Sequence, residues 1–188
     1  MKLQSWRARR FVPVGGTPWR GLERAWDLPT ESARLAWLRG IDTPEELAWR
    51  LDPSWERTCD PFLLSGMGEA VARIRRAIED RESICIYGDY DVDGVTATAL
   101  LFRVLERMGA KVCSFIPNRF SDCYGLHLDC IRELSAAHTL MISVDCGVRS
   151  VEEVAASQEM GVEWIITDHH ALGTELPQAC AVIHPALG

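Results

Sequence analysis

The sequence predicts an α/β fold: a largely parallel sheet with helices on both faces, preceded by a helical N-terminal segment. Three observations carry that prediction. Short apolar runs of strand length alternate with stretches whose apolar residues recur at helical spacing. Glycines close several of the helical stretches, as Gly40, Gly109 and Gly161 do. Three of the apolar runs end in acidic or histidine residues, at Asp89, Asp145 and Asp168-His169-His170. The carboxyl ends of strands are where open α/β sheets place their sites.

In chain order, residues 1–29 show no clear periodicity, and Gly15-Gly16-Thr17-Pro18 reads as a turn. Trp6, Trp19 and Trp26 lie in this arm, where anchoring against the body is a better use than stacking on bases. A short helix is expected from Thr30 to Arg39, ended by Gly40. Thr43-Pro44-Glu45-Glu46 is a capping box with Pro at the first helical position. The helix it starts ends before Pro53. Met67, Val71, Ile74 and Ile78 mark the apolar face of a helix through about Glu79, with Arg73, Arg75 and Arg76 on a solvated face. Strands are expected at 84–87, 111–116, 139–144, 162–167 and 179–183, and helices at 95–108, 128–136 and 151–160. The expected division is an arm with helices over 1–65 and a catalytic-type domain over 66–188.

The totals set the class. A chain of 188 residues with 47% hydrophobic and 25% charged residues is ordinary for a globular protein. No apolar run approaches membrane-spanning length and no signal-peptide core opens the chain, so a cytoplasmic protein without membrane contact is expected. Seven cysteines, an odd number without a Cys-x-x-Cys, argue against a disulfide framework or a zinc site; Cys85 and Cys113 read as core residues. Core packing is also the better reading of Cys146, beside Asp145. Net charge is −7, made of +5 over residues 1–24 and −12 over the rest. A basic arm suits phosphates or solvent equally, while an acidic body suits carboxylates that hold cations.

The stretch Ile84-Cys85-Ile86-Tyr87-Gly88-Asp89-Tyr90-Asp91-Val92-Asp93-Gly94 joins a strand to a helix. Asp89, Asp91 and Asp93 repel one another at this spacing unless a cation sits among them, and oxygen-rich clusters suit magnesium, manganese or calcium. Asp-x-Asp-x-Asp-Gly is also half of an EF-hand loop. That loop needs Glu at its twelfth position, here Leu100, and a helix where this chain has a strand. A solvated Asp turn would not explain Asp145 and Asp168-His169-His170 at two further strand ends. In the loop after the second strand, Arg119 is a candidate phosphate clamp. Adjacent histidines in an extended segment point to opposite sides, so His169 and His170 are not expected on one ion.

Gly88-Asp89-Tyr90-Asp91-Val92-Asp93-Gly94, Asp145 and Asp168-His169-His170 resemble the first three motifs of the DHH phosphoesterase superfamily. Arg39-Gly40-Ile41, residues 67–78 and 87–98, and Ile116-Pro117-Asn118-Arg119-Phe120 narrow the resemblance to the RecJ-like exonucleases, specific for single-stranded DNA in the 5′→3′ direction. The resemblance covers residue 35 to the end. It implies two divalent cations, Mn2+ or Mg2+, and single-stranded DNA as partner, with a role in DNA repair and recombination. It also implies that Asp91 binds one ion, Asp93 and His169 the other, that Asp145 bridges them, and that Asp89 supports the first. His170 and Arg119 are then expected on the substrate phosphate, and Asp168 behind a histidine. His127, His138 and His184 are expected to be structural.

The family's fourth motif, a further Asp, and its second domain lie beyond the aligned part, so this domain is expected to be incomplete at its C-terminus. Cys123 stands where Gly is common and His184 where Asn is common. Two alternatives remain: a DHH phosphodiesterase acting on short or cyclic nucleotides, and a non-catalytic fragment lacking the last metal ligand.

Overall fold

The structure, a computed structural model, describes residues 17–52, 54–118 and 125–188. The chain divides into two compact units, residues 1–59 and 60–188.

The described part of the first unit is helical: α1 (Arg20–Trp26), α2 (Thr30–Leu38) and α3 (Pro44–Leu51). Trp19, Leu22, Ala33, Ile41 and Leu47 form its small core. Thr43 caps α3 by accepting the Glu46 N–H at 3.2 Å, and Glu46 accepts the Asp42 N–H at 3.2 Å. The helix α1 was not expected from the sequence. It is two turns long and buries Leu22 alone, too little to write a period. Two of the arm's tryptophans pack within this unit: Trp19 lies 6.0 Å from Trp37, and Trp26 Nε1–H donates to Pro44 O at 3.3 Å. Trp6 lies outside the described residues.

The second unit is the expected α/β body. After α4 (Met67–Glu79) come β1 (Ser83–Gly88), α5 (Val92–Arg107), β2 (Lys111–Phe115), α6 (Leu128–Ser135), β3 (Leu140–Val144), α7 (Val151–Gln158), β4 (Glu163–Thr167) and β5 (Ala181–Ile183). The sheet order is β2-β1-β3-β4-β5, and every neighbouring pair is parallel. The run of residues in β3 is buried on both faces, as parallel strands between helix layers must be. On one face Cys85, Tyr87, Met141, Trp164 and Ile166 meet Ile131 of α6 and Val154 of α7. On the other, Ile84, Ile86, Ile142 and Ile165 meet Ala70 and Ala77 of α4 and Leu105 of α5. The chain leaves β1 for the edge strand β2 and returns to β3. The sheet therefore reverses its winding between β1 and β3, and a crevice opens there at the carboxyl ends.

Two expectations are corrected. Helix α5 starts at Val92, three residues earlier than expected, because Asp91 caps it by accepting the Gly94 N–H at 3.1 Å. Val92 is exposed, so no apolar period reaches back to it. Arg73 is not on a solvated face: it is 4% exposed. It lies between Ala70 and Ala77 on the buried side of α4, and its guanidinium leaves that apolar surface by bonding Glu82 at 2.7 and 3.1 Å and Glu163 at 2.7 Å. None of the described helices is long and apolar enough to cross a membrane.

Candidate metal centre

Three strand ends meet at the crevice. The first is the end of β1. Asp89 follows Gly88 directly and is 2% exposed. The N-terminus of α5 rests on its backbone: a Cβ on Gly94 would lie 2.5–2.7 Å from Asp89 backbone atoms. The glycine of the Asp-rich stretch is thus required by close approach of helix to strand. Asp91, at the N-cap, is held below the usual carboxylate range by the N–H of Gly94 first and that of Asp93 next.

The second is the end of β3. Asp145 has φ of 63°, the left-handed region, which turns its carboxylate back toward the crevice while its N–H still donates to Thr167 O at 3.0 Å. A non-glycine residue there costs of order 1 kcal/mol or more, and such strain concentrates at functional sites. Gly147, at φ 103°, keeps the following turn against Ser143: a Cβ would meet Ser143 Oγ at 2.9 Å. Burial pushes the Asp145 carboxyl up and the negative Asp91 adds to this, while the hydrogen bond from His169 offsets part of it.

The third is the end of β4. Asp168 organises it. One carboxylate oxygen accepts the N–H of His169 at 2.7 Å and of His170 at 3.0 Å and bonds His170 Nδ1 at 2.8 Å; the other accepts the Val148 N–H at 2.9 Å. Burial alone would raise this carboxyl, but the bonds from His170, Val148 and His169 hold it low. In return the Asp168 hydrogen bond raises the pKa of His170. The expectation that the two histidines point apart is overturned. Asp168 folds the backbone into a turn, so the segment is not extended, and the rings lie 4.7 Å apart on one side.

The result is two overlapping groups of ligand atoms, each within 4.8 Å: Asp89, Asp91 and Asp145; and Asp145, His169 and His170. Asp145 belongs to both. Its Oδ1 lies 2.8 Å from His169 Nε2, while its Oδ2 and the Oδ1 of Asp89 are buried without a hydrogen-bond partner among the described residues. Buried carboxylate oxygens left bare cost free energy that a cation recovers. The donor set, carboxylates with imidazole, fits Mg2+ or Mn2+. Asp93, in the first turn of α5, stands outside both close groups and lines a hollow of about 310 Å³ with Asp145 and His169. A second hollow of about 270 Å³ lies past His170, walled by Gly147, Arg149, Ser150 and Asp168. Arg119 lies outside the described residues.

Sequence reasoning missed two contributors. His184 is 3% exposed; its Nδ1 accepts the Ala186 N–H at 3.0 Å, so its Nε2–H donates to His170 O at 2.7 Å and fixes that backbone. Only its place before Pro185 hinted at a fixed turn. Arg149, beside the second hollow, had no local signal at all. Cys146 is buried, and burial pushes its thiol well up, as an inert core thiol requires.

Comparison with known proteins places this arrangement. The profile of the DHH family, N-terminal domain, matches residues 83–187. The chain is 42% identical over 154 residues to the single-stranded-DNA-specific exonuclease RecJ of Bacillus subtilis, covering 81% of this chain and 20% of that protein. It is 37% identical over 186 residues to RecJ of Thermus thermophilus, covering 97% of this chain and 26% of that one. It therefore spans a fifth to a quarter of the length of these relatives. Among solved structures, exonuclease RecJ bound to manganese superposes with a TM-score of 0.65 at 40% identity over 69% of this chain and 34% of that chain. The Thermus thermophilus RecJ complex with Mn2+ does so with 0.66 at 34% identity over 90% of this chain and 23% of that chain. The matched residues take in the whole sheet and all three acidic strand ends, and the chain belongs to the DHH family.

Proposed function

We propose that this chain carries the metal-binding half of a phosphodiester-hydrolysing site, in residues 66–188, and that the protein it serves is a cytoplasmic 5′→3′ exonuclease on single-stranded DNA in repair and recombination. The observation that carries the reading is the sharing of Asp145 between two ligand groups, with one of its oxygens buried and without a hydrogen-bond partner among the described residues. RecJ relatives that are specific for single-stranded DNA, and RecJ structures bound to Mn2+ or Mg2+, support the substrate and the metal.

Asp91 and Asp89 would hold one ion, His169 with Asp93 the other, and Asp145 both. When bound, such a pair supplies an acidified water and neutralises charge on the phosphate. The chain's own residues do the rest. Asp91 enters already ionised, because the α5 N–H groups hold its charge. Asp168 accepts from His170 Nδ1–H and favours the imidazolium, whose second proton, on Nε2, can be donated to a phosphate oxygen. His184 donates to the His170 carbonyl and holds the backbone that carries the ring. Arg119 would clamp a phosphate.

The test is release of nucleotides from 5′-labelled single-stranded DNA with Mn2+, beside dinucleotides, cyclic nucleotides and pyrophosphate. Preferred, metal-dependent turnover of single-stranded DNA supports the reading. Preference for a short or cyclic nucleotide moves the assignment elsewhere in the superfamily. No turnover on any substrate, with metal bound, leaves a non-catalytic fragment.

A further inference from the structure

A second cluster of ligand atoms lies away from the acidic crevice, toward the opposite end of the sheet. Cys85 of β1 and Cys113 of β2 are register partners on adjacent parallel strands. His138 enters beside them just before β3. One Sγ from each cysteine and a ring nitrogen of His138 lie within 4.8 Å of one another, and Cys113 Sγ is 3.3 Å from His138 Nε2. Ligand distances of about 2.3 Å to sulfur and about 2.0 Å to nitrogen put a thiolate and an imidazole about 3.5 Å apart around tetrahedral zinc. The observed spacing is already close to that. The histidine is also oriented from behind: its Nδ1 lies 2.8 Å from Ser83 Oγ, two residues before Cys85 on the same face of β1. With Ser83 accepting from Nδ1–H, the lone pair of Nε2 faces the thiols, the arrangement by which metal-binding histidines are held.

We infer that Cys85, Cys113 and His138 form a site for a thiophilic d10 cation, of which Zn2+ is the probe, tying β1 and β2 to the segment that leads into β3. No Cys-x-x-Cys spacing announces it, because strand pairing rather than sequence proximity brings the ligands together. Two thiolates and an imidazole select a softer ion than the carboxylates of the crevice, so the two sites sort metals by chemistry. Cys85 is fully buried, while Cys113 and His138 are half-buried and give the ion its way in. Burial and the neighbouring Lys111 hold the His138 pKa down, which keeps the imidazole neutral. Burial raises the Cys85 thiol, so binding must expel protons and weakens as pH falls. This inference stands apart from the phosphodiesterase reading.

The experiment is an anaerobic Cd2+ titration of the reduced, chelator-treated chain in saturating Mg2+, which occupies the oxygen-rich crevice. The readout is the ultraviolet thiolate-to-cadmium charge-transfer band. The expected result is a band that saturates at equimolar Cd2+, is displaced by Zn2+, and persists when the cysteines exposed among the described residues are removed in a Cys59→Ser, Cys180→Ser chain. Cys113→Ser should abolish it, and His138→Gln should weaken binding about ten-fold or more. Circular dichroism checks folding; if Cys113→Ser does not fold, His138→Gln decides. No band in the starting chain, or the same affinity in His138→Gln, overturns the site.

Discussion

The two ends of the sheet treat their carboxylates in opposite ways. At the amino end, Glu82 and Glu163 share the Arg73 guanidinium, and Thr139 Oγ1–H donates to Glu82 at 2.7 Å. At the carboxyl end, Asp89, Asp91 and Asp145 converge with no Lys or Arg paired to them among the described residues. Asp145 moreover sits in left-handed backbone with a bare oxygen. The first arrangement neutralises its charge with the chain itself and stabilises the fold. The second leaves negative charge uncompensated, and strain with it, which a fold tolerates where an ion completes the structure. The difference separates structural acid from functional acid without reference to any relative.

Substitution at the functional end has the largest expected effect. Asp145→Ala should reduce Mn2+-dependent hydrolysis by more than about 100-fold, since losing a partner that merely supports a ligand costs about 10–100-fold. In chelator the same variant should melt near the parent, because the loss of a buried, repelled carboxylate is offset by alanine's poorer fit to the left-handed backbone. Asp168→Asn should come next, with turnover down about 10–100-fold. His170 would lose its carboxylate while Asp145 and His169 keep theirs, so Mn2+ affinity measured by calorimetry should change less than turnover. Arg73→Met should lower stability in urea by about 2 kcal/mol, the scale of hydrogen bonds to charged groups, and leave Mn2+ affinity alone. The loss stays at that scale because Glu163 is half exposed and rehydrates.

The smallest effect is in the acid limb. The Arg73 hydrogen bond, ahead of opposing burial, holds the Glu82 carboxyl below its ordinary value. A depressed folded pKa stabilises fully above the unfolded pKa, about 4.3, and the gain is lost as pH falls through the folded value. Thermal melting from pH 5 downward should therefore fall more steeply in the parent than in Arg73→Met, with the contribution of Asp168 common to both. Equal slopes would mean that Arg73 does not hold Glu82.

What was legible in the sequence follows the same division. All five strands and the helices that cover them were readable, because buried strands and amphipathic helices write their periods directly into the chain. Asp89, Asp91, Asp145, Asp168, His169 and His170 were readable as ligand-type residues at strand ends. Their mutual geometry was not. The Asp168 turn that brings both rings to one side, the φ of Asp145 and the bond from His184 are tertiary facts with no period to carry them. Arg73 was misjudged because a long side chain can leave an apolar face and still reach a carboxylate ninety residues away. The pairing of Cys85 with Cys113 needed the strand register.

The central claim is that Asp145 serves two ions at once. Electron paramagnetic resonance of the chain titrated with Mn2+ tests it most directly. The account predicts a second equivalent that brings the multiline spectrum of an exchange-coupled pair, and a spectrum of isolated Mn2+ only in Asp145→Ala. Isolated Mn2+ at every ratio in the parent chain, or coupling that survives in the variant, would contradict it.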